Sequence, residues 1–181
     1  MKKIGKKAKI ASNDLSNFTL NKKNAVLKQY ARYLTSYSKA ILKENKKDLI
    51  KAKKIKGVLI DRLRLDRKKI NQIKKSLQEI IKFRDPLGKI LSSHKRPNGL
   101  VINKISIPIG VIGIIYESRP NVTSDVAALC FKSGNVVILK GGSEALHSNK
   151  ILANLFRKAL KKNKCNENCV QFIESKSKKN V

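Results

Sequence analysis

Between residues 110 and 160, two short apolar runs alternate with two longer stretches of helical period, a pattern that few folds accept. Residues 111–116 are apolar throughout, as expected of a strand buried on both faces. Residues 122–132 carry a helical period that closes at Ser133-Gly134. Residues 136–139 form a second apolar run, and residues 143–160 resume the helical period, with Ser143 placed to cap it. Residues 169–173 supply a third short strand. This β-α-β-α-β order calls for parallel strands joined by right-handed crossovers. Ligands in such sheets bind beyond the carboxyl ends of the strands. Residues 117–121 and 140–144 are therefore the segments where chemistry is expected.

The preceding part reads differently. Residues 1–20 are polar and expected to be irregular at first. Leu27, Tyr30, Ala31, Leu34, Tyr37 and Ile41 then recur at helical spacing. The pattern resumes through Leu49, Ile50 and Ala52 and stops near Gly57. Ile70, Ile73, Leu77, Ile80 and Ile81 mark another helix, with Asp66 as its expected N-cap, and Asp85-Pro86-Leu87-Gly88 ends it. Residues 89–95 and 100–107 read as a hairpin turning at Arg96-Pro97-Asn98-Gly99, where Asn-Gly is expected to supply positive φ angles.

The 181 residues include 42 basic and 12 acidic side chains, a formal charge of +30. Such a balance invites a nucleic-acid reading, and a basic nucleic-acid-binding module is one alternative. Two observations weigh against it. Lysine outnumbers arginine 34 to 8, a bias that AT-rich codons supply, whereas base readout leans on arginine. Residues 108–149, the richest in motif, hold three basic and three acidic side chains and are neutral overall. Cys130, Cys165 and Cys169 form no zinc or redox spacing, so no metal is expected. The basic start is followed by no apolar signal core, and the longest apolar stretch, residues 107–115, is too short to span a membrane. A reduced, cytoplasmic protein is expected.

Residue chemistry alone leaves the candidate sites open. Asn121 is either a plain N-cap or an amide donor aimed at an oxyanion. Lys140-Gly141-Gly142-Ser143-Glu144 is either an ordinary turn or a close approach to a nucleotide, in which Lys140 meets a phosphate or ribose oxygen and Glu144 accepts from a ribose hydroxyl. It is neither a P-loop nor a G-x-G-x-x-G fingerprint. Arg119 either clamps a carboxylate or phosphate or pairs with Glu117 or Asp125. Cys130 follows Val126 and Leu129 on an apolar helix face and reads as a buried structural thiol. Cys165 and Cys169 have no base partner, and His94 and His147 read as surface residues.

Longer motifs are recognisable. The run from Pro108 through Tyr116-Glu117-Ser118-Arg119-Pro120-Asn121 to Thr123, the run 127–135, and Val137 through Lys140-Gly141-Gly142-Ser143-Glu144 to Asn149 closely resemble the γ-glutamyl phosphate reductase family. That family, also called glutamate-5-semialdehyde dehydrogenase, belongs to the aldehyde dehydrogenase superfamily. Glu44-Asn45 with Asp48, Asp61-Arg62-Leu63, Asp85-Pro86-Leu87-Gly88 and Arg96-Pro97-Asn98-Gly99-Leu100 extend the resemblance over nearly the whole chain from about residue 8.

The resemblance implies an α/β fold of aldehyde dehydrogenase type, with N-terminal helices and a β-hairpin followed by an incomplete parallel Rossmann-like sheet. Residues 1–107 would form the helical segment and hairpin of the cofactor and oligomerisation region, and residues 108–181 part of an NADP-binding domain. The implied reaction is NADPH-dependent reduction of L-glutamyl 5-phosphate to L-glutamate 5-semialdehyde with release of phosphate, in proline biosynthesis. By position, Asn121 matches the oxyanion donor, and Lys140 and Glu144 match groups that meet the adenosine ribose of NADP, with Gly141, Gly142 and Ser143 between them. From chemistry rather than from the resemblance, Arg119, with Glu117, is expected at the substrate. A homo-oligomer is expected of the complete enzyme, with functional coupling to glutamate 5-kinase.

The chain also departs from the family. Family members are much longer, their nucleophilic cysteine lies in a later catalytic domain, and none of the three cysteines here matches it. Residues 174–181 stand where the family continues with an acidic segment. An incomplete copy, or one half of a split enzyme that is inactive alone, is expected.

Overall fold

The computed structural model describes residues 2–52 and 57–174. Residues 53–56, and the departing tail beyond Glu174, lie outside the described residues. Twelve elements follow one another: α1 (Lys2–Ser16), α2 (Leu20–Ser36), α3 (Ser38–Lys51), α4 (Val58–Leu63), α5 (Arg67–Lys82), β1 (Ile90–Lys95), β2 (Val101–Ile105), β3 (Val111–Tyr116), α6 (Pro120–Lys132), β4 (Val136–Gly141), α7 (Leu146–Lys162) and β5 (Val170–Phe172). Among the described residues, no helix is long and apolar enough to cross a membrane.

The strands β3, β4 and β5 form a parallel sheet in that order, with Ile115 beside Lys140 and Tyr116 beside Gly141. The expected β-α-β-α-β order is therefore present. β4 is the central strand, and Val136, Val137 and Leu139 are fully buried. β3 is an edge strand, contrary to the expectation of burial on both faces, and Ile115 is 68% exposed. A continuous apolar run cannot distinguish a central strand from an edge strand whose outer face is left uncovered.

One apolar core joins the helical part to the sheet. Leu27, Tyr30 and Leu34 of α2 and Ile73 and Leu77 of α5 share it with Phe131 of α6, Leu139 of β4 and Phe156 of α7. Tyr30 lies 4.7 Å, centroid to centroid, from Phe156, which meets Phe131 edge-on at 5.7 Å. The Tyr30 hydroxyl is within 2.6 Å of the Ser124 hydroxyl, so the buried phenol keeps a partner.

Several expectations need correction. Residues 2–16 are helical rather than irregular, because Ala8, Ala11 and Leu15 form a narrow apolar stripe buried against the sheet. Lysines fill the solvent face and hide that stripe in the composition. The hairpin β1–β2 is antiparallel as expected, but only Gly99 of its turn has a positive φ, at 85°. Asn98 instead accepts the Leu100 N–H on Oδ1 at 3.1 Å. Asp66 caps α5 as expected, accepting the Lys69 N–H at 2.7 Å. Ser143 does not cap α7 with its side chain. It opens a 3₁₀ turn, Ser143–Ala145, and α7 starts at Leu146.

Candidate active site

The loops leaving β3 and β4 lie side by side, because their last residues, Tyr116 and Gly141, are register partners. They are tied together directly. Ser118 donates its hydroxyl to Glu144 Oε2 at 2.7 Å, and Ser143 donates to Oε1 at 3.2 Å. A cleft of about 250 Å³ opens over this junction, lined by Glu117, Ser118, Arg119, Gly142 and Glu144, with Leu59, Arg62 and Leu63 of α4 as the far wall. Lys140 is partly exposed at the end of β4.

The two glycines are needed for space, not for backbone freedom. Neither Gly141 nor Gly142 has a positive φ. A Cβ on Gly141 would lie 2.2 Å from Asn149 Nδ2 and 3.0 Å from the Tyr116 ring, and one on Gly142 would lie 2.5 Å from Ser118 Oγ. The space that a Cβ would need is taken by the neighbouring loop and by α7.

Asn121 is not an N-cap. Arg119 occupies the cap position without a side-chain bond, Pro120 is the first helical residue, and Asn121 is exposed in the first turn. Its amide donates to Asp125 Oδ2 at 3.3 Å. Burial pushes the Asp125 carboxyl above its ordinary value, and the Asn121 bond only partly offsets this. Asp125 Oδ1 is buried with no hydrogen-bond partner. A second cleft, of about 510 Å³, holds Asn121, Asp125 and Arg119 together with Asp61, Arg62, Lys69 and Ser76. Neither ion pair expected of Arg119 forms. Glu117 instead lies 3.8 Å from Arg62.

The N-terminus of α7 is not open to an anion, because the Asp48 carboxylate fills it. Asp48 Oδ1 accepts the His147 N–H at 3.0 Å, and Oδ2 accepts the Ser148 N–H at 2.7 Å. The floor of the site is a polar chain. Thr123 donates to Asn149 Oδ1 at 3.0 Å, which leaves the Tyr116 hydroxyl to donate to Thr123 at 2.6 Å. Burial pushes the Tyr116 phenol up to about 12, so it remains a donor at neutral pH.

All three cysteines are buried and unpaired, and burial raises the pKa of each, that of Cys169 to about 12. None reaches either cleft. Among the described residues, no group of three or more His, Cys, Asp or Glu side chains is placed to hold a metal ion.

No family model matches the chain. Among curated proteins, it is 45% identical over 177 residues to the γ-glutamyl phosphate reductase of Carboxydothermus hydrogenoformans, covering 97% of this chain and 43% of that protein. The crystal structure of the γ-glutamyl phosphate reductase from Thermotoga maritima superposes with a TM-score of 0.95 at 41% identity, covering 98% of this chain and 43% of the other. The chain is homologous to the N-terminal portion of γ-glutamyl phosphate reductase. A propionaldehyde dehydrogenase from Rhodopseudomonas palustris, 15% identical with a TM-score of 0.66 over 99% of this chain, has the same fold. The fold is thus that of aldehyde dehydrogenases. The chain spans 43% of the length of the curated reductase.

Three residues carry geometry of the candidate site that the sequence did not disclose. Ser118 joins the two loops, yet its motif position indicated no role for it. Asp48 closes α7 from about 100 residues away, which no local pattern can reveal. Arg62 lines both clefts, and although it stands in the Asp61-Arg62-Leu63 motif, the sequence indicated no role for it.

Proposed function

We propose that these residues form the N-terminal share of the site in which a γ-glutamyl phosphate reductase reduces L-glutamyl 5-phosphate to L-glutamate 5-semialdehyde, releasing phosphate in the cytoplasmic synthesis of proline. The supporting observation is the junction of the two loops, where Asn121 faces one cleft and Gly142 and Glu144 face the other.

The smaller cleft suits a ribose with a phosphate rather than a whole dinucleotide, since it is slightly below the ~300 Å³ at which small-molecule pockets begin. Glu144 supplies an acceptor for a ribose hydroxyl, and Lys140 supplies a positive charge at the strand end. Gly141, Gly142 and Ser143 keep the backbone low enough for the sugar to approach. When bound, NADPH supplies the hydride. Asn121 presents an amide N–H to the acyl oxygen, where negative charge develops as the carbonyl is attacked. Arg119 and Glu117 border the substrate. A homo-oligomer, and coupling to a glutamate 5-kinase that makes the labile acyl phosphate, belong to the same reading.

The 181 residues by themselves carry no exposed thiol, so they are expected to give no turnover alone. The test is a chimaera in which this chain replaces the matching portion of the Thermotoga maritima enzyme. The chimaera should reduce glutamyl phosphate with NADPH, and Asn121→Ala should lower kcat by about a hundredfold. An Asn121→Ala chimaera with undiminished kcat would overturn the role given to that amide.

A further inference from the structure

The two clefts share two residues, Arg62 and Arg119. Only 8 of the 42 basic residues are arginine. The rest are lysine, whose ammonium is a single point of positive charge. Arginine differs in offering a planar fork that meets two oxygens of one anion at once. The remaining cation in the larger cleft, Lys69, already donates to the carbonyl oxygens of Asp61 and, at 2.8 Å, Arg64. The guanidinium of Arg119 has no ion pair among the described residues, and Arg62 has only Glu117. That pair is long, at 3.8 Å, and its side chains are 42% and 77% exposed, so it holds Arg62 weakly.

We propose that Arg62 and Arg119 together bind the phosphoryl group of the acyl phosphate, with Glu117 holding Arg62 until that group arrives. The proposal rests on the reductase reading and adds Arg62 and the identity of the bound group. Arg119 stands two residues before Asn121 and lines the same cleft. In an acyl phosphate the phosphoryl group is a single oxygen away from the carbonyl carbon, whereas the α-carboxylate lies at the far end of the carbon chain. An anion beside Asn121 is therefore the phosphate. The clefts also contain carboxylates, Asp61 and Asp125 in the larger and Glu117 and Glu144 in the smaller. Asp125, through Oδ2, and Glu144 are engaged with Asn121 and Ser118, Asp61 is exposed to water, and Glu117 can leave its long pair with Arg62 for solvent.

The test is NMR titration of the 181-residue chain, following the arginine Nε–H signals and the side-chain amide of Asn121. Inorganic phosphate and acetyl phosphate are each added against chloride at equal ionic strength. Saturable shifts confined to Arg62 and Arg119 are expected, joined by Asn121 with acetyl phosphate. Arg62→Lys and Arg119→Lys should each weaken binding about tenfold. Glu117→Gln should strengthen it about threefold, a gain that misfolding cannot produce. Equal shifts at all arginines, or unchanged affinity in Arg62→Lys, would overturn the proposal. So would adenosine 2′-monophosphate shifting the two arginines more tightly than acetyl phosphate, which would assign them to the cofactor. NADP added to Arg62→Lys tests the reductase reading separately. Shifts of the backbone amides at residues 140–144 there preserve that reading even if the phosphate titrations fail.

Discussion

Ser148 gives both its backbone N–H and its hydroxyl to one oxygen of the Asp48 carboxylate, at 2.7 and 2.6 Å. Both residues are buried, and Asn45, one turn earlier on α3, donates to Ser148 Oγ at 2.9 Å and accepts the Leu65 N–H at 2.8 Å. The start of α7, the end of α3 and the segment after α4 are thus held by a single polar cluster. A carboxylate at a helix N-terminus also complements the helix dipole. Asp48→Ala leaves these donors buried and unpaired, and should cost about 3 kcal/mol, measured by urea denaturation. Because α4 forms one wall of the smaller cleft, the same change should broaden NMR signals at Leu59 and Leu63 before global unfolding.

Gly141 offers a second test, with an internal control. An added methyl would overlap Asn149 Nδ2, which is fully buried and makes no hydrogen bond. Gly141→Ala should destabilise by about 2 kcal/mol. In an Asn149→Ala background much of that cost should disappear, since only the Tyr116 ring remains close. A double-mutant cycle in urea measures the coupling. Additive effects would mean that the side chain of Asn149 does not set the requirement for glycine.

The contrast between these two positions shows what the sequence could disclose. The sheet order, the two loops and the glycine pair were legible, because a strand followed by a turn and a helix leaves a local pattern. The reason for the glycines was not, since the atoms that exclude a Cβ belong to Tyr116, Ser118 and Asn149, on other elements. The edge position of β3 was hidden for the same reason, as Ile115 looks like a core residue until its missing neighbour is known. α1 was hidden by composition, because five lysines between Lys2 and Lys9 outweigh the small buried residues on its other face.

A third prediction concerns pH. Lys23 is 1% exposed and pairs with Asp85 at 2.6 Å. Burial pushes the Asp85 carboxyl up, but the Lys23 ammonium and the Leu87 N–H, with Lys132 nearby, outweigh it and hold it below the ordinary value. Its folded pKa being depressed, Asp85 contributes stability above its unfolded pKa, and that contribution is lost as pH falls through the folded value. Below pH 4 the chain should therefore weaken, with Lys23 and Lys132 left facing each other without their counter-charge. Asp85→Asn should flatten the acid limb of a stability–pH profile. Lys23→Ala should cost about 2 kcal/mol at pH 7, less than for a fully buried pair because Asp85 keeps some contact with water.

Thiol chemistry separates the structural cysteines from a nucleophile. With all three buried and shifted upward, native protein should react with a disulfide reagent at neutral pH about a hundredfold more slowly than free cysteine, and denaturant should release three thiols. One rapidly reacting cysteine in the native chain would contradict this burial and mark that residue as a candidate nucleophile.

The last prediction sets charge against apolar surface. Ile107, Ile109 and Ile115 are 74%, 83% and 68% exposed, and the hairpin adds Ile90, Leu91 and Val101. The outer edge of β3 has no strand beside it among the described residues. Such a surface favours self-association. A net charge of +30 opposes it, but only over the Debye length, which shrinks from about 30 Å at 0.01 M salt to about 3 Å at 1 M. Sedimentation velocity should therefore find monomer at low salt and larger species as sodium chloride rises, the reverse of what a charge-driven complex does. Ile109→Ser with Ile115→Thr should move the onset to higher salt. Association that instead dissolved on adding salt would show that charged groups, not the uncovered isoleucines, hold the copies together.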